Sequence, residues 1–210
     1  MVIGKLLPQI MAIRLLLILL FSINSVAGEV DLEKILKITK SFRGQFSQKV
    51  SDQDGNIIQT VKGYVLFKKP NFFKWVYTTP YKNKIISDGE FLYLYDPDLK
   101  QVIITRLNRL GNSSPAMLLV SDNVKNFFNT EKFADENNLV WFRSLPKKTS
   151  SSSFKEVLIH YDETKLNRMK ILDNLDHTTD ISFINVIQNE EINDAVFLFN
   201  LPEGVDVIKN

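Results

Sequence analysis

The residue types that carry most enzyme chemistry are sparse in this chain and badly placed for it. Only two histidines are present, His160 beside Tyr161 in an alternating run and His177 in a polar turn, and neither belongs to an H-E-x-x-H pattern. There is no G-x-S-x-G, no glycine-rich phosphate loop and no cysteine, so thiol catalysis, thiolate metal sites and disulfides are excluded. The carboxylate pairs Asp96/Asp98 and Glu190/Glu191 fall in turn settings, where such side chains bond their own backbone. The run Asp52-Gln53-Asp54-Gly55-Asn56 invites a calcium reading. Aligned on its glycine, however, the first ligand position of a calcium loop falls on Val50, so a plain turn is the better reading. No catalytic residue, no metal ligand and no cofactor is expected.

What the chain has in quantity is apolar aromatic surface, with 15 phenylalanines among its 210 residues. From Phe72 to Thr78, Phe73, Trp75 and Tyr77 alternate with Phe72, Lys74 and Val76, so one face of a strand carries three aromatic rings. That face is buried in a core or faces an apolar ligand.

The elements around it read as follows. Asp31 caps an amphipathic helix carrying Leu32, Ile35, Leu36 and Thr39 on one side. A hairpin joins a strand through Phe46, Gln48 and Val50 to one from Ile57 to about Lys68. After Lys69-Pro70-Asn71 come strands at Phe72–Thr78, Tyr81–Ser87, Phe91–Tyr95 and Lys100–Arg106. Ser114-Pro115 opens a short helix with Met117, Leu118, Leu119 and Val120, and a second helical piece covers Asn123 to Phe128. Strand-like runs follow at Leu139–Leu145, Phe154–Tyr161, Arg168–Leu172, Thr179–Ile187 and Val196–Phe199. The expected fold is mainly β: one curved antiparallel sheet of roughly ten strands, too many to stay flat, with about three short helices against it.

The N-terminus reads as a cleavable secretory signal over residues 1–27, followed by one domain over 28–210. Lys5 and Arg14 precede an apolar run from Leu15 to Phe21, which is too short to span a bilayer, and Ser25-Val26-Ala27 forms the cleavage pattern; Met1 or Met11 serves equally as the start. Removing that segment leaves basic and acidic residues equal in number, which argues against nucleic acid as a partner. Without cysteine the mature chain has no site for a lipid anchor.

Lys68-Lys69-Pro70-Asn71-Phe72-Phe73-Lys74-Trp75 with Tyr77 and Pro80, then Ser87-Asp88-Gly89, Tyr95-Asp96-Pro97 and Gln101-Val102, resemble the LolA family of periplasmic lipoprotein carriers. The resemblance begins near Phe42 with Phe46-Ser47-Gln48-Lys49-Val50, includes Gly63 and Pro115-Ala116-Met117-Leu118-Leu119, and ends at Phe197-Leu198-Phe199-Asn200-Leu201-Pro202-Glu203-Gly204-Val205-Asp206-Val207. It implies an unclosed β-barrel whose concave apolar face, under a lid of three short α-helices, receives the acyl chains of lipid-modified outer-membrane lipoproteins. The expected acyl-binding residues are Phe46, Tyr64, Leu66, Phe73, Trp75, Tyr77, Met117, Leu118 and Leu119. It implies further a monomer in the periplasm, loaded by an inner-membrane ABC-type release complex and unloaded to an outer-membrane receptor lipoprotein. Just before its proline the family usually carries an arginine that ties down the lid through backbone carbonyls; the matching residue here is Lys69, which keeps the charge but not the planar fork. Two other readings stay open: a carrier of another lipid or apolar ligand on the same half-barrel, and an envelope interaction domain with a filled core. The related receptor, itself lipid-anchored, would need the cysteine that is missing.

Overall fold

The computed structural model describes residues 31–110, 115, 117–121 and 124–209. The signal segment, Ser114, Ala116 and Asn123 lie outside that set. Among the described residues no helix is long and apolar enough to cross a membrane.

Helix α1 (Leu32–Ile38) starts where the sequence places it, with the Asp31 carboxylate accepting from the Glu33 N–H at 3.1 Å, and it buries Leu32, Ile35 and Leu36. The hairpin β1 (Ser41–Ser51) and β2 (Ile57–Lys68) is closed by Asp52, whose side chain accepts from the N–H groups of Asp54 and Asn56. The acidic loop is thus a self-satisfied turn. Then come β3 (Phe72–Thr79), β4 (Lys84–Asp88), β5 (Phe91–Asp96) and β6 (Gln101–Arg106), followed by the helices α2 (Leu107–Leu110), α3 (Met117–Val120) and α4 (Val124–Phe127). Strands β7 (Phe128–Ala134), β8 (Val140–Pro146), β9 (Phe154–Asp162), β10 (Lys165–Asp173) and β11 (Thr178–Gln188) complete the antiparallel part, and β12 (Asp206–Lys209) ends the chain.

Among the described residues all twelve strands share one sheet, in the order β12-β6-β5-β4-β3-β2-β1-β11-β10-β9-β8-β7. The first and last strands of that order do not pair, so the barrel is unclosed. The core lies on the concave side, where Phe42, Phe46, Val61, Val65, Phe67, Ile159, Met169, Ile181 and Phe183 meet Leu32, Ile35 and Leu36 of α1 and Leu118, Leu119 and Val120 of α3.

Four details differ from the sequence reading. Strand β4 begins at Lys84 rather than Tyr81. Strand β7 has no counterpart in that reading: after Phe128 its run Asn129-Thr130-Glu131-Lys132 is exposed and polar, which hides a strand from a hydrophobicity pattern and suits a sheet edge. Strand β12 pairs parallel with β6, from Asp206 opposite Gln101 to Lys209 opposite Ile104, so the sheet is not wholly antiparallel. Residues expected as a strand at Val196–Phe199 instead enter a 3₁₀ turn over Asp194–Phe197, started by the Asn193 side chain accepting from the Ala195 N–H. The alternation there is real, but its partner is the outer face of the sheet. Phe197 is fully buried against Phe72, and Phe199 stacks on Tyr93 at 5.0 Å.

Gly63 sits where β2 shifts register against β3, and a Cβ there would lie 1.9 Å from the Val76 carbonyl oxygen and 2.9 Å from the Phe46 ring. The backbone oxygen cannot move aside without opening the ladder. Gly63→Ala is therefore expected to destabilise the fold by about 1–3 kcal/mol, the range of overpacked sites, measured as a lower urea midpoint with an unchanged slope.

Candidate functional site

A cavity of about 270 Å³ lies between the concave face and the helical segments that cross it. Its sheet wall is Gln48 of β1, Phe73, Trp75 and Tyr77 of β3, Ile85 and Ser87 of β4, Leu92 of β5, Met169 and Ile171 of β10, and Thr179 and Ile181 of β11. Its cover is Leu107 of α2, Pro115, and Leu119 and Val120 of α3, with Asn71 at the rim. Among these lining residues none is charged. The pairings Phe73 with Ser87 and Trp75 with Ile85 put these residues on one face of adjacent strands, which explains why the alternation of β3 becomes a wall.

The aromatic wall is continuous. Phe46 packs against Trp75 at 4.4 Å and edge-on against Tyr77 at 5.6 Å, and Trp75 also meets Phe73 and Phe183. Burial, reinforced by the neighbouring Tyr81, pushes the Tyr77 hydroxyl up to about 12, so this polar tip stays neutral.

The cover is fastened to the turn between β2 and β3. The Lys69 ammonium donates to the Leu36 carbonyl at the end of α1, at 2.7 Å, and to the Ser121 carbonyl just after α3, at 3.4 Å. Two residues on, the Asn71 N–H donates to the Val120 carbonyl at 3.4 Å. Asn71 holds φ near 68°, a left-handed conformation that asparagine tolerates better than most residues, and so aims its N–H at the cover.

Of the residues expected to bind acyl chains, Phe73, Trp75, Tyr77 and Leu119 line the cavity. Phe46 stands behind them as their support, and Leu118 is fully buried in the core. Met117 lies in α3, and its side chain is outside the described set. Tyr64 and Leu66 are corrected: both lie on the convex face, lining a shallow groove with Arg43, Gln45, Asn185 and Ile187. Strand β2 is apolar on both sides, and its pairing with β1 puts Tyr64 opposite Gln45 and Leu66 opposite Arg43, which leaves Val61, Val65 and Phe67 inside. The period-2 signal that marked β3 was present at Met169/Ile171 and Thr179/Ile181, whereas nothing local marks Gln48 or Leu107 as lining residues.

The histidines and the paired carboxylates singled out in the sequence lie outside this cavity. His160 Nδ1 lies 2.8 Å from the Val140 carbonyl, and His177 lies 3.1 Å from Asp173 in the β10–β11 turn. Asp96 accepts from the N–H groups of Asp98 and Leu99 in its own turn, and Glu190 pairs with Arg43. Among the described residues no cluster of histidine and carboxylate side chains could hold a metal ion.

Comparison with known proteins accords with this geometry. The family model described as outer membrane lipoprotein carrier protein LolA matches residues 37–200. The outer-membrane lipoprotein carrier protein of Methylobacillus flagellatus is 35% identical over 183 residues, covering 86% of this chain and 88% of that protein. The protein of the same name in Nitrosospira multiformis is 34% identical over 196 residues, covering 92% of this chain and 94% of its own length. An uncharacterised conserved protein of Thermus thermophilus shares the fold, with a TM-score of 0.50 at 10% identity over 85% of this chain and 94% of that one.

Two outcomes follow from the wall. Trp75→Ala removes the ring that joins Phe46, Phe73 and Phe183 and is expected to cost about 3–5 kcal/mol in chemical denaturation. The folded Tyr77 hydroxyl is raised from 10.0 to about 12, so its stabilising contribution is complete below pH 10 and is lost as pH rises towards 12. Tyr77→Phe should therefore lose less stability between pH 10 and 12 than the parent, as read from paired denaturation curves.

Proposed function

The chain belongs to the LolA family of outer-membrane lipoprotein carriers, and on that premise we propose that it is exported by its N-terminal signal and shuttles lipoproteins through the periplasm. The acyl chains of the cargo enter the cavity between the aromatic wall and the helical cover. An inner-membrane ABC-type complex supplies the cargo and an outer-membrane receptor lipoprotein takes it. The carrier acts as a monomer and needs no cofactor; it catalyses no reaction, because the task is transfer between two apolar environments.

The observation that carries this reading is a cavity, uncharged among its described lining residues, with one wall built from sheet and the other from short helices. At about 0.8 kcal/mol per buried methylene, an acyl chain of roughly sixteen carbons costs on the order of 10 kcal/mol to leave in water, so unassisted crossing is prohibitive. Release must also be possible, and a wall of aromatic and aliphatic groups without a fixed polar anchor binds chains adaptably. The closed cavity of about 270 Å³ falls just below the roughly 300–1,000 Å³ of ordinary ligand pockets, so loading several acyl chains requires the cover to move outward.

Lys69 is the fastening that resists that movement. Its ammonium reaches one carbonyl of α1 and one beside α3, whereas an arginine at the same place would offer a planar fork of five donors. Lys69→Arg is expected to lower, and Lys69→Gln to raise, the uptake of a fluorescent apolar dye and the rate at which lipoprotein displaces it. No change in either variant removes Lys69 from this role. For the cargo, mass spectrometry of the tagged protein recovered from the periplasm should find acylated lipoproteins. Recovery of phospholipid alone, with no loading from inner membranes, would overturn the assignment.

A further inference from the structure

Polar groups without partners gather toward one end of the apolar cavity. On β1 Gln48 stands opposite Ile181, and Thr179 is the next residue of β11 on that face, so the two are diagonal neighbours; both line the cavity. Gly63 stands opposite Phe46 on one side and Tyr77 on the other, which sets Tyr77 level with Phe46 and one inward step from Gln48. Among the described residues none forms a hydrogen bond with the Gln48 amide or the Thr179 hydroxyl. The Trp75 Nε1–H is buried and also lacks a hydrogen-bond partner; its polar neighbour is the Tyr77 hydroxyl, which it pulls down against the upward push of burial. At the other end Ser87, paired with Phe73, differs: its oxygen already accepts from the Gly89 N–H at 3.3 Å. Around that end lie Leu107, Leu119 and Val120 of the cover.

We infer that Gln48, Tyr77 and Thr179 form a subsite for the ester or amide carbonyl at the head of an acyl chain, so that a chain lies with its tail toward the cover. The inference rests on the cavity taking acyl chains. An apolar pocket orients its ligand through a few convergent polar groups, and these are the ones this pocket has to spare. The amide of Gln48 and the hydroxyls of Tyr77 and Thr179 can each donate, and a carbonyl oxygen accepts two such bonds. When Tyr77 donates to a carbonyl its own oxygen becomes a better acceptor, which gives the buried Trp75 N–H a partner. A hydrocarbon offers these groups nothing, and a free carboxylate would bring a charge into a described lining that holds no cation. The chemistry selected is a neutral acyl ester or amide. Neutral bonds of this kind add little net affinity, because water takes the carbonyl's place when the chain leaves, so the subsite orients a chain without anchoring it.

The probe is methyl palmitate, whose ester carbonyl absorbs in the infrared apart from the peptide groups. Hydrogen bonding lowers that stretch, so the bound ester should absorb below its position in hexane, and the band should climb back in Tyr77→Phe and in Gln48→Leu/Thr179→Val. In displacement of the apolar dye, the wild-type protein should prefer the ester to palmitate and to a hydrocarbon of equal length, and in either variant the preference over the hydrocarbon should fall about fivefold. A wild-type band at the hexane position, a band that neither variant moves, or equal displacement by ester, hydrocarbon and palmitate overturns the inference. If a variant fails to fold, the wild-type band decides alone. An ester that enters with a free carbonyl defeats the subsite only, whereas an ester that displaces no dye defeats the carrier reading as well.

Discussion

An open sheet of twelve strands has one curved apolar face that its own strands cannot cover, and the rest of the molecule answers that constraint. A closed barrel would bury the face against itself and leave nothing to load. Here the edges β12 and β7 stay apart, and the covering is delegated to α1 and to the short helices between β6 and β7. Those helices are too short to be stable alone, so they depend on Leu118, Leu119, Val120 and Val124 packed on the sheet, together with the hydrogen bonds from Lys69 and Asn71. A cover stabilised by packing on the surface that it hides is removable by anything that replaces that packing.

The two sides of the sheet are treated differently. On the concave side, Phe73, Trp75 and Tyr77 form a wall whose polar edges are uncharged. On the convex side of β3–β5, Phe72, Tyr93 and Tyr95 are covered by Phe197 and Phe199 of the C-terminal segment, and the Lys74 ammonium donates to the Val196 carbonyl. The tail is then secured by the parallel pairing of β12 with β6. This splint covers the outer side of the strands that form the wall. The turn Lys69-Pro70-Asn71 joins sheet and cover, because it follows the end of β2 and holds Val120 and Ser121 of the cover by hydrogen bonds.

Much of this was legible from local pattern. Strand β3 announced both its existence and its inward face, since only one of its sides is aromatic throughout. The cap at Asp31, the turn at Asp52 and the helix after Pro115 were readable because each depends on neighbours within four residues. Strand β2 was legible as a strand and illegible in orientation: Tyr64 and Leu66 are as apolar as Val65 and Phe67, and the choice between them is made by pairing with β1. Strand β7 was hidden by its polar edge, and Val196–Phe199 misled because alternation arises equally from packing on a neighbouring face.

The sequence by itself determined the family, through motifs whose resemblance to lipoprotein carriers runs nearly the length of the domain, and with it the expectation of a helical cover and of a lysine at a position where the family usually has arginine. The one-sided aromatic strand is a property of residue type and short-range period, which needs no knowledge of partners distant in the chain. The tertiary structure alone decided which residues enclose the cavity, where Gln48, Leu107, Met169 and Thr179 arrive from separate elements, and which carbonyls Lys69 holds. It also placed that lysine in a crevice with Lys37, Lys40 and Lys125. Register and strand pairing are long-range choices, and the inside of a curved sheet exists only once they have been made.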